Sequence, residues 1–187
     1  MTYLVLMNSK CIFILALVVL VGACNSPEAR RPVKHTTSNF YKEVIEENIK
    51  LNQLEKKQIE NSLAKDTLNN YLSSPSGFWY TYNKKDSLST ITPKKGDVVT
   101  IQYSITDFYN SPIYEEQKIE YKVDKEDFIP ALQEGIKLMK KGETITFVIP
   151  SYRAYGVTGD GNKIRMNQTL KSKLTLIDIK KVNNEIN

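Results

Sequence analysis

The sequence predicts an α+β domain in which an antiparallel sheet wraps around one short helix, with a helical extension on its N-terminal side. Three observations predict it. Over the second half of the chain, short runs alternate apolar and polar residues, which is the period of a strand with one buried face. Between two of those runs, Leu132, Ile136 and Met139 adopt helical i, i+4, i+7 spacing behind Pro130. Residues 38–72 are rich in Glu, Lys, Asn, Leu and Ile and contain neither Gly nor Pro, a helix-forming composition.

From the start of the 187-residue chain, Lys10 precedes an apolar run from Cys11 to Val21 that leads into Val21-Gly22-Ala23-Cys24. The run is shorter than the roughly 20 residues that span a bilayer but fits the apolar region of a signal peptide. Small residues before a cysteine resemble a bacterial lipobox, so residues 1–23 are read as a lipoprotein signal and Cys24 as the acylated first residue of the mature chain. Plain secretory cleavage is the alternative. Lipidation is favoured because the mature chain holds no second cysteine for Cys24 to pair with. Residues 24–37 then form a linker of Pro, Ser, Thr and Arg that includes the only histidine, His35. A protein tethered in the bacterial cell envelope, on the outer membrane facing the periplasm, is expected.

The extension is read as 38–74. Ser38 suits a first helix cap, and Asn52 with Glu55 suits a capping pair that starts a second helix. Val44, Ile45 and Ile49, then Ile59 and Leu63, make narrow apolar stripes. A helical pair with so little apolar surface either packs on the following domain or pairs with a second copy as a homodimer through residues 38–72. Ser73-Ser74-Pro75-Ser76-Gly77 is a turn, and the domain is read as 75–182, with a tail at 183–187. Phe78, Tyr80 and Tyr82 share one strand face with Trp79 on the other. Val99, Ile101, Tyr103 and Ile105 alternate after the turn Pro93–Asp97, and Ile119, Tyr121 and Val123 alternate after Asp107–Pro112. Pro130 suits the first turn of the short helix. Ile145, Phe147 and Ile149, then Leu170, Leu174 and Leu176, close the sheet.

Composition removes several functions. The net charge of +5 comes from 26 basic and 21 acidic residues that interleave, and no basic stripe carries stacking aromatics, so nucleic acid is not an expected partner. Once Cys11 leaves and Cys24 takes lipid, no disulfide or thiolate site is left. A lone linker histidine gives neither a Ser-His-Asp hydrolase nor a metal centre. Gly156, Gly159 and Gly161 do not lie between a strand and a helix, as a phosphate cradle requires. Asp124, Glu126 and Asp127 lack the rhythm of a calcium loop.

The most informative stretch runs Asp127-Phe128-Ile129-Pro130, Gly135, Lys141-Gly142-Glu143, Tyr152-Arg153-Ala154-Tyr155-Gly156. Apolar residues and tyrosine hydroxyls converge there without a nucleophile or paired carboxylates, a chemistry suited to rotating an amide rather than cutting it. In order and spacing the stretch resembles the FK506-binding-protein (FKBP) type of peptidyl-prolyl cis-trans isomerase, over roughly residues 77–182. The resemblance implies an FKBP-like half-barrel, no cofactor, and proline-containing polypeptides as substrates. It implies a pocket walled by Tyr103, Tyr114, Tyr121, Phe128, Ile129, Leu132, Tyr155 and Ile164. Tyr155 and the Ile129 N–H would orient carbonyl groups, Phe128, Ile129 and Leu132 would grip the proline ring, and Glu115 would stand where the family has aspartate. The chain departs from the family at Leu132, where tryptophan is common, and at Ser172, where an aromatic is usual. Ile164-Arg165-Met166 replaces the usual Ile-Pro-Pro.

The same residues would also serve as an ordinary half-barrel core. A catalytically weak proline-peptide binding module, or a scaffolding lipoprotein, therefore stands as the alternative to an enzyme. Under the enzyme reading, the helical extension is expected to be dispensable for turnover of a short peptide. The order of lipobox, helical extension and divergent FKBP domain is similar to lipoproteins linked to gliding motility in bacteria. That similarity implies partners in an envelope apparatus. Replacing Cys24 with Ser is expected to release the protein from membrane fractions; continued retention in those fractions would count against lipidation.

Overall fold

Six strands make a single antiparallel sheet in the computed structural model, which describes residues 37–86 and 88–182. The signal segment, Cys24, the linker with His35, the Ser38 side chain and the 183–187 tail lie outside the described residues. The elements in chain order are helix α1 (Thr37–Leu63), strands β1 (Leu72–Ser73), β2 (Trp79–Lys84), β3 (Val98–Asp107) and β4 (Pro112–Lys122), helix α2 (Pro130–Ile136), and strands β5 (Thr144–Ile149) and β6 (Leu170–Lys180). Their order across the sheet is β1-β2-β5-β6-β3-β4. This is the α+β architecture expected from the alternating runs.

The inner face of the sheet carries the residues the period-2 pattern selects. Val99, Ile101, Tyr103 and Ile105 of β3, Ile145, Phe147 and Ile149 of β5, and Leu170, Leu174 and Leu176 of β6 are all buried in one cluster with Ala131, Leu132 and Ile136 of α2. Pro130 opens α2, where its missing N–H costs nothing. The helix stops at Ile136, so Met139, expected on a third helical position, is buried from the turn that follows. Gly135 lets α2 approach the sheet: a Cβ there would lie 2.5 Å from Cε1 of Phe147. The Lys141-Gly142-Glu143 turn closes on itself, with the buried Glu143 carboxylate accepting from the Lys140 N–H at 2.8 Å and the Asp86 N–H at 3.0 Å.

The extension differs from the expected helical pair. It is one unbroken helix, and Asn52 sits within it rather than capping a second one. No Gly or Pro interrupts it, and the Glu55 side chain is engaged elsewhere, with Ser151 and Thr169. The helix ends at Leu63, earlier than the composition suggested, because the Asp66 carboxylate accepts the N–H groups of Leu68 and Asn69 in a local turn that competes with helix. The sheet also starts before residue 75: Leu72 and Ser73 pair with Tyr80 and Trp79.

Residues from Val44 onward form one unit that includes the sheet. Ile59 docks α1 on the outer face of the sheet in a second cluster with Trp79 and Val148, flanked by Leu63, Tyr71 and Phe108. Burying an isoleucine this fully contributes about 1.5–3 kcal/mol, enough to hold a helix that is weakly apolar elsewhere. No helix among the described residues is long and apolar enough to cross a membrane.

Gly135→Ala separates packing from helix propensity. Alanine in a helix is favoured over glycine by about 1 kcal/mol, whereas the clash with Phe147 costs about 1–3 kcal/mol. Urea unfolding of the variant is expected to show a net loss of stability, and a gain would contradict the close approach of α2.

Candidate active site

Phe128 is the hinge of an aromatic wall. Its ring lies 5.2 Å from that of Tyr103 at 88°, the edge-to-face geometry that aromatic pairs prefer, and 5.3 Å from that of Tyr121 at a tilt of 36°. Tyr103 projects inward from β3, and its hydroxyl accepts a hydrogen bond from Nε2 of Gln117 at 2.7 Å. Tyr121 sits at the end of β4, where its hydroxyl accepts from the Asp124 N–H. Gln133 Nε2 donates to the Phe128 carbonyl at 3.1 Å and steadies the approach to α2. Ile129 caps α2, with its carbonyl accepting the Leu132 and Gln133 N–H groups. Its own N–H has no acceptor among the described residues. Ile164 is buried in the same apolar cluster, against which Tyr114 and Phe128 pack.

The polar side of the site is built by residues 151–169. A 3₁₀ turn at Ser151–Arg153 follows Pro150, and the Ser151 carbonyl accepts both the Ala154 and the Gly156 N–H groups, which throws Tyr155 outward. Beyond it, Asp160 organises the loop. Its Oδ1 accepts the N–H groups of Asn162 at 2.9 Å and Ile164 at 2.8 Å, and its Oδ2 accepts the Tyr114 hydroxyl. Lys163 Nζ lies 5.3 Å from the centre of the Tyr114 ring. Gly159 makes this loop possible, since it adopts φ +69° and a Cβ there would lie 2.4 Å from the Ile164 carbonyl oxygen.

Burial alone would raise the Asp160 pKa, but the Tyr114 hydroxyl and the two loop N–H groups outweigh it and hold the carboxyl below its usual range. Burial raises the Tyr155 hydroxyl, and the negative charge of Asp160 adds to it. Tyr114 is raised chiefly by its bond to Asp160, and Tyr103 by burial. All three hydroxyls therefore stay protonated at neutral pH. Only the Tyr155 hydroxyl among them has no hydrogen-bond partner within the described residues, and the residue is 37% exposed. A neutral donor beside an apolar wall can bond one carbonyl and shed water from the rest of a bound chain.

A family model described as FKBP-type peptidyl-prolyl cis-trans isomerase matches residues 89–177. The domain spanning these residues is similar to the FKBP-type family. The FKBP match contains every residue of the aromatic wall and of the Tyr155 loop. Among relatives, a probable FKBP-type peptidyl-prolyl cis-trans isomerase FkpA of Neisseria meningitidis serogroup B is 30% identical over 124 residues, 65% of this chain and 43% of that protein. The outer membrane protein MIP of Legionella longbeachae is 32% identical over 111 residues, 57% of this chain and 46% of that protein. The chain thus spans less than half the length of these relatives. The crystal structure of FkpA from Escherichia coli aligns with a TM-score of 0.58 at 25% identity, over 90% of this chain and 81% of that one. A peptidyl-prolyl cis-trans isomerase structure from Pseudomonas syringae shares the fold, with a TM-score of 0.57 at 18% identity, over 73% of this chain and 96% of that one.

As expected from the sequence, the fold brings Tyr103, Tyr114, Tyr121, Phe128, Ile129, Leu132 and Ile164 into one cluster. Leu132 has no exposed surface, so it backs the wall rather than lining it. Glu115 is exposed and makes no hydrogen bond among the described residues. The carboxylate at the site is Asp160, and the partner of the Tyr103 hydroxyl is Gln117. Neither was singled out from the sequence, although Gly159-Asp160-Gly161 carries a turn signal for an aspartate that bonds its own backbone. Ser172 is buried, and its hydroxyl donates to the Ser104 carbonyl at 2.9 Å.

The lowered Asp160 pKa ties stability of the loop to pH. A carboxylate held below its unfolded value near 3.9 stabilises the fold above that pH, and the contribution fades as pH falls through the folded value. Asp160→Asn is expected to lower the melting temperature at pH 7, with the gap to the natural protein closing below about pH 4. A gap that persists unchanged in acid would mean that the ionised carboxylate is not what orders the loop.

Proposed function

We propose that this FKBP domain catalyses cis-trans isomerisation of X-Pro bonds in polypeptides of the bacterial cell envelope. The observation that carries the reading is the exposed, unpartnered Tyr155 hydroxyl close to Tyr103, whose ring packs on Phe128 in the apolar wall. Amide resonance sets a barrier of about 18–20 kcal/mol, so the uncatalysed change takes tens to hundreds of seconds. Twisting the bond uncouples the nitrogen lone pair from the carbonyl and makes the amide less polar. A site that withholds water from the planar form lowers the cost of twisting. Phe128 grips the proline ring, and the Tyr155 hydroxyl and the Ile129 N–H bond the flanking carbonyls, with no proton transferred and no cofactor consumed.

Acylation at Cys24 supplies the membrane tether in this reading. Envelope residence is supported by the leader and by similarity to a relative named as an outer membrane protein. A homodimer through residues 38–72 is supported by Val44, Ile45, Ile49, Leu51 and Leu54, which α1 leaves exposed. A role beside a gliding-motility apparatus rests on the resemblance in domain order alone. A second reading, a proline-peptide binding module with weak turnover, is favoured by Leu132 and Ser172, which remove aromatic surface where a ring brings about 150–250 Å² of contact.

NMR exchange on a proline-containing tetrapeptide decides between them. The full chain is expected to accelerate exchange. Tyr155→Phe is expected to lower the rate about tenfold, since one hydrogen bond of roughly 1.4 kcal/mol is lost. A folded chain that binds the peptide without accelerating exchange would leave the binding module as the function.

A further inference from the structure

Glu55 belongs to α1, outside the matched residues 89–177, yet among the described side chains of that helix its carboxylate is the most heavily bonded. It is half-buried. Oε1 accepts the Ser151 N–H at 2.7 Å and the Thr169 hydroxyl at 2.6 Å, and Oε2 accepts the Ser151 hydroxyl at 2.7 Å. Hydrogen bonds to an ionised acceptor are shorter and about twice as strong as neutral ones. Ser151 and Thr169 are the two ends of the segment that carries Tyr155, Asp160 and Ile164. Within the segment the Ser151 carbonyl accepts the Gly156 N–H at 2.8 Å, and the Gly156 carbonyl accepts the Asn167 N–H at 2.8 Å. The bonds therefore run from the helix carboxylate through the base of the loop to the residue after Tyr155.

Docking of α1 does not explain this arrangement. Ile59 against Trp79 and Val148 already supplies an apolar contact, and holding a helix does not require three donors from both ends of one loop to meet on one carboxylate. We propose that Glu55 is a positioning residue for the Tyr155 hydroxyl, closing the base of the 151–169 loop from helix α1. This inference rests on the isomerase reading for its effect on rate. It also reverses the expectation that the extension is dispensable for turnover of a short peptide.

The test compares the full chain with Glu55→Ala, Glu55→Gln, Tyr155→Phe and the Glu55→Ala/Tyr155→Phe double variant, with Lys57→Ala, an exposed site on the same helix, as control. Tetrapeptide exchange by NMR and amide hydrogen exchange of the folded proteins are both read. Glu55→Ala is expected to lower kcat/KM about tenfold, with Glu55→Gln intermediate and Lys57→Ala unchanged. Amides of 151–169 are expected to exchange faster while those of β3 and β6 hold. The double variant is expected to be no slower than Tyr155→Phe alone, because coupled residues are not additive. Natural kcat/KM in a folded Glu55→Ala, or a fully additive double variant, overturns the proposal. Should Glu55→Ala fail to fold, Glu55→Gln decides by the same readings. Should the natural protein show no isomerisation, the isomerase reading fails separately. Faster loop exchange in Glu55→Ala then upholds the clamp, and unchanged loop exchange overturns it.

Discussion

β5 is buried on both faces, and the molecule is arranged around that fact. Ile145, Phe147 and Ile149 face the inner core, where Phe147 meets α2 at Gly135; Val148 faces outward and receives Ile59 of α1. A strand covered on both sides cannot shift by one residue without exchanging its two apolar sets. Its register with β2 and β6 is therefore fixed, and so is the point at which the chain leaves it. That exit, through Pro150 into Ser151, is where the Tyr155 loop begins.

Hydroxyl bookkeeping distinguishes the tyrosines of the site from one another. Tyr103 and Tyr121 are satisfied as acceptors, and Tyr114 is satisfied by Asp160. These bonds fix ring positions; Tyr103 and Tyr121 keep an O–H to donate, but the two residues are buried. Tyr155 is the exposed one of the four and its hydroxyl has no partner among the described residues, so it is the donor that a visiting carbonyl reaches. Asp160 accepts the two loop N–H groups as well as the Tyr114 hydroxyl, whereas Glu115 is exposed on β4.

The sheet was legible in the sequence because its inner face follows a strict period of two, from Val99 to Ile105 and from Ile145 to Ile149. The apolar wall was legible because Phe128, Ile129 and Pro130 stand in a recognisable order with Tyr155. What the sequence hid was long-range polar pairing. Glu55 looked like a local cap because Asn52 lies three residues before it, and nothing in the neighbourhood reveals partners 96 and 114 residues away. Gln117 and Asp160 were hidden for the same reason: an amide or carboxylate on an alternating strand or a glycine loop reads as solvated until the fold brings a hydroxyl to it. The end of α1 was misjudged because an Asx turn at Asp66 overrode a composition that favoured helix throughout.

The chain has a single tryptophan, Trp79, and the fold places it not in the inner core but in the small cluster beneath α1. Intrinsic fluorescence is therefore a local gauge rather than a global one. Lifting the helix would wet the indole while the sheet stays intact, so an emission shift would register detachment of α1 before any unfolding of the domain. The molecule carries its own optical label at the joint between its helix and its sheet.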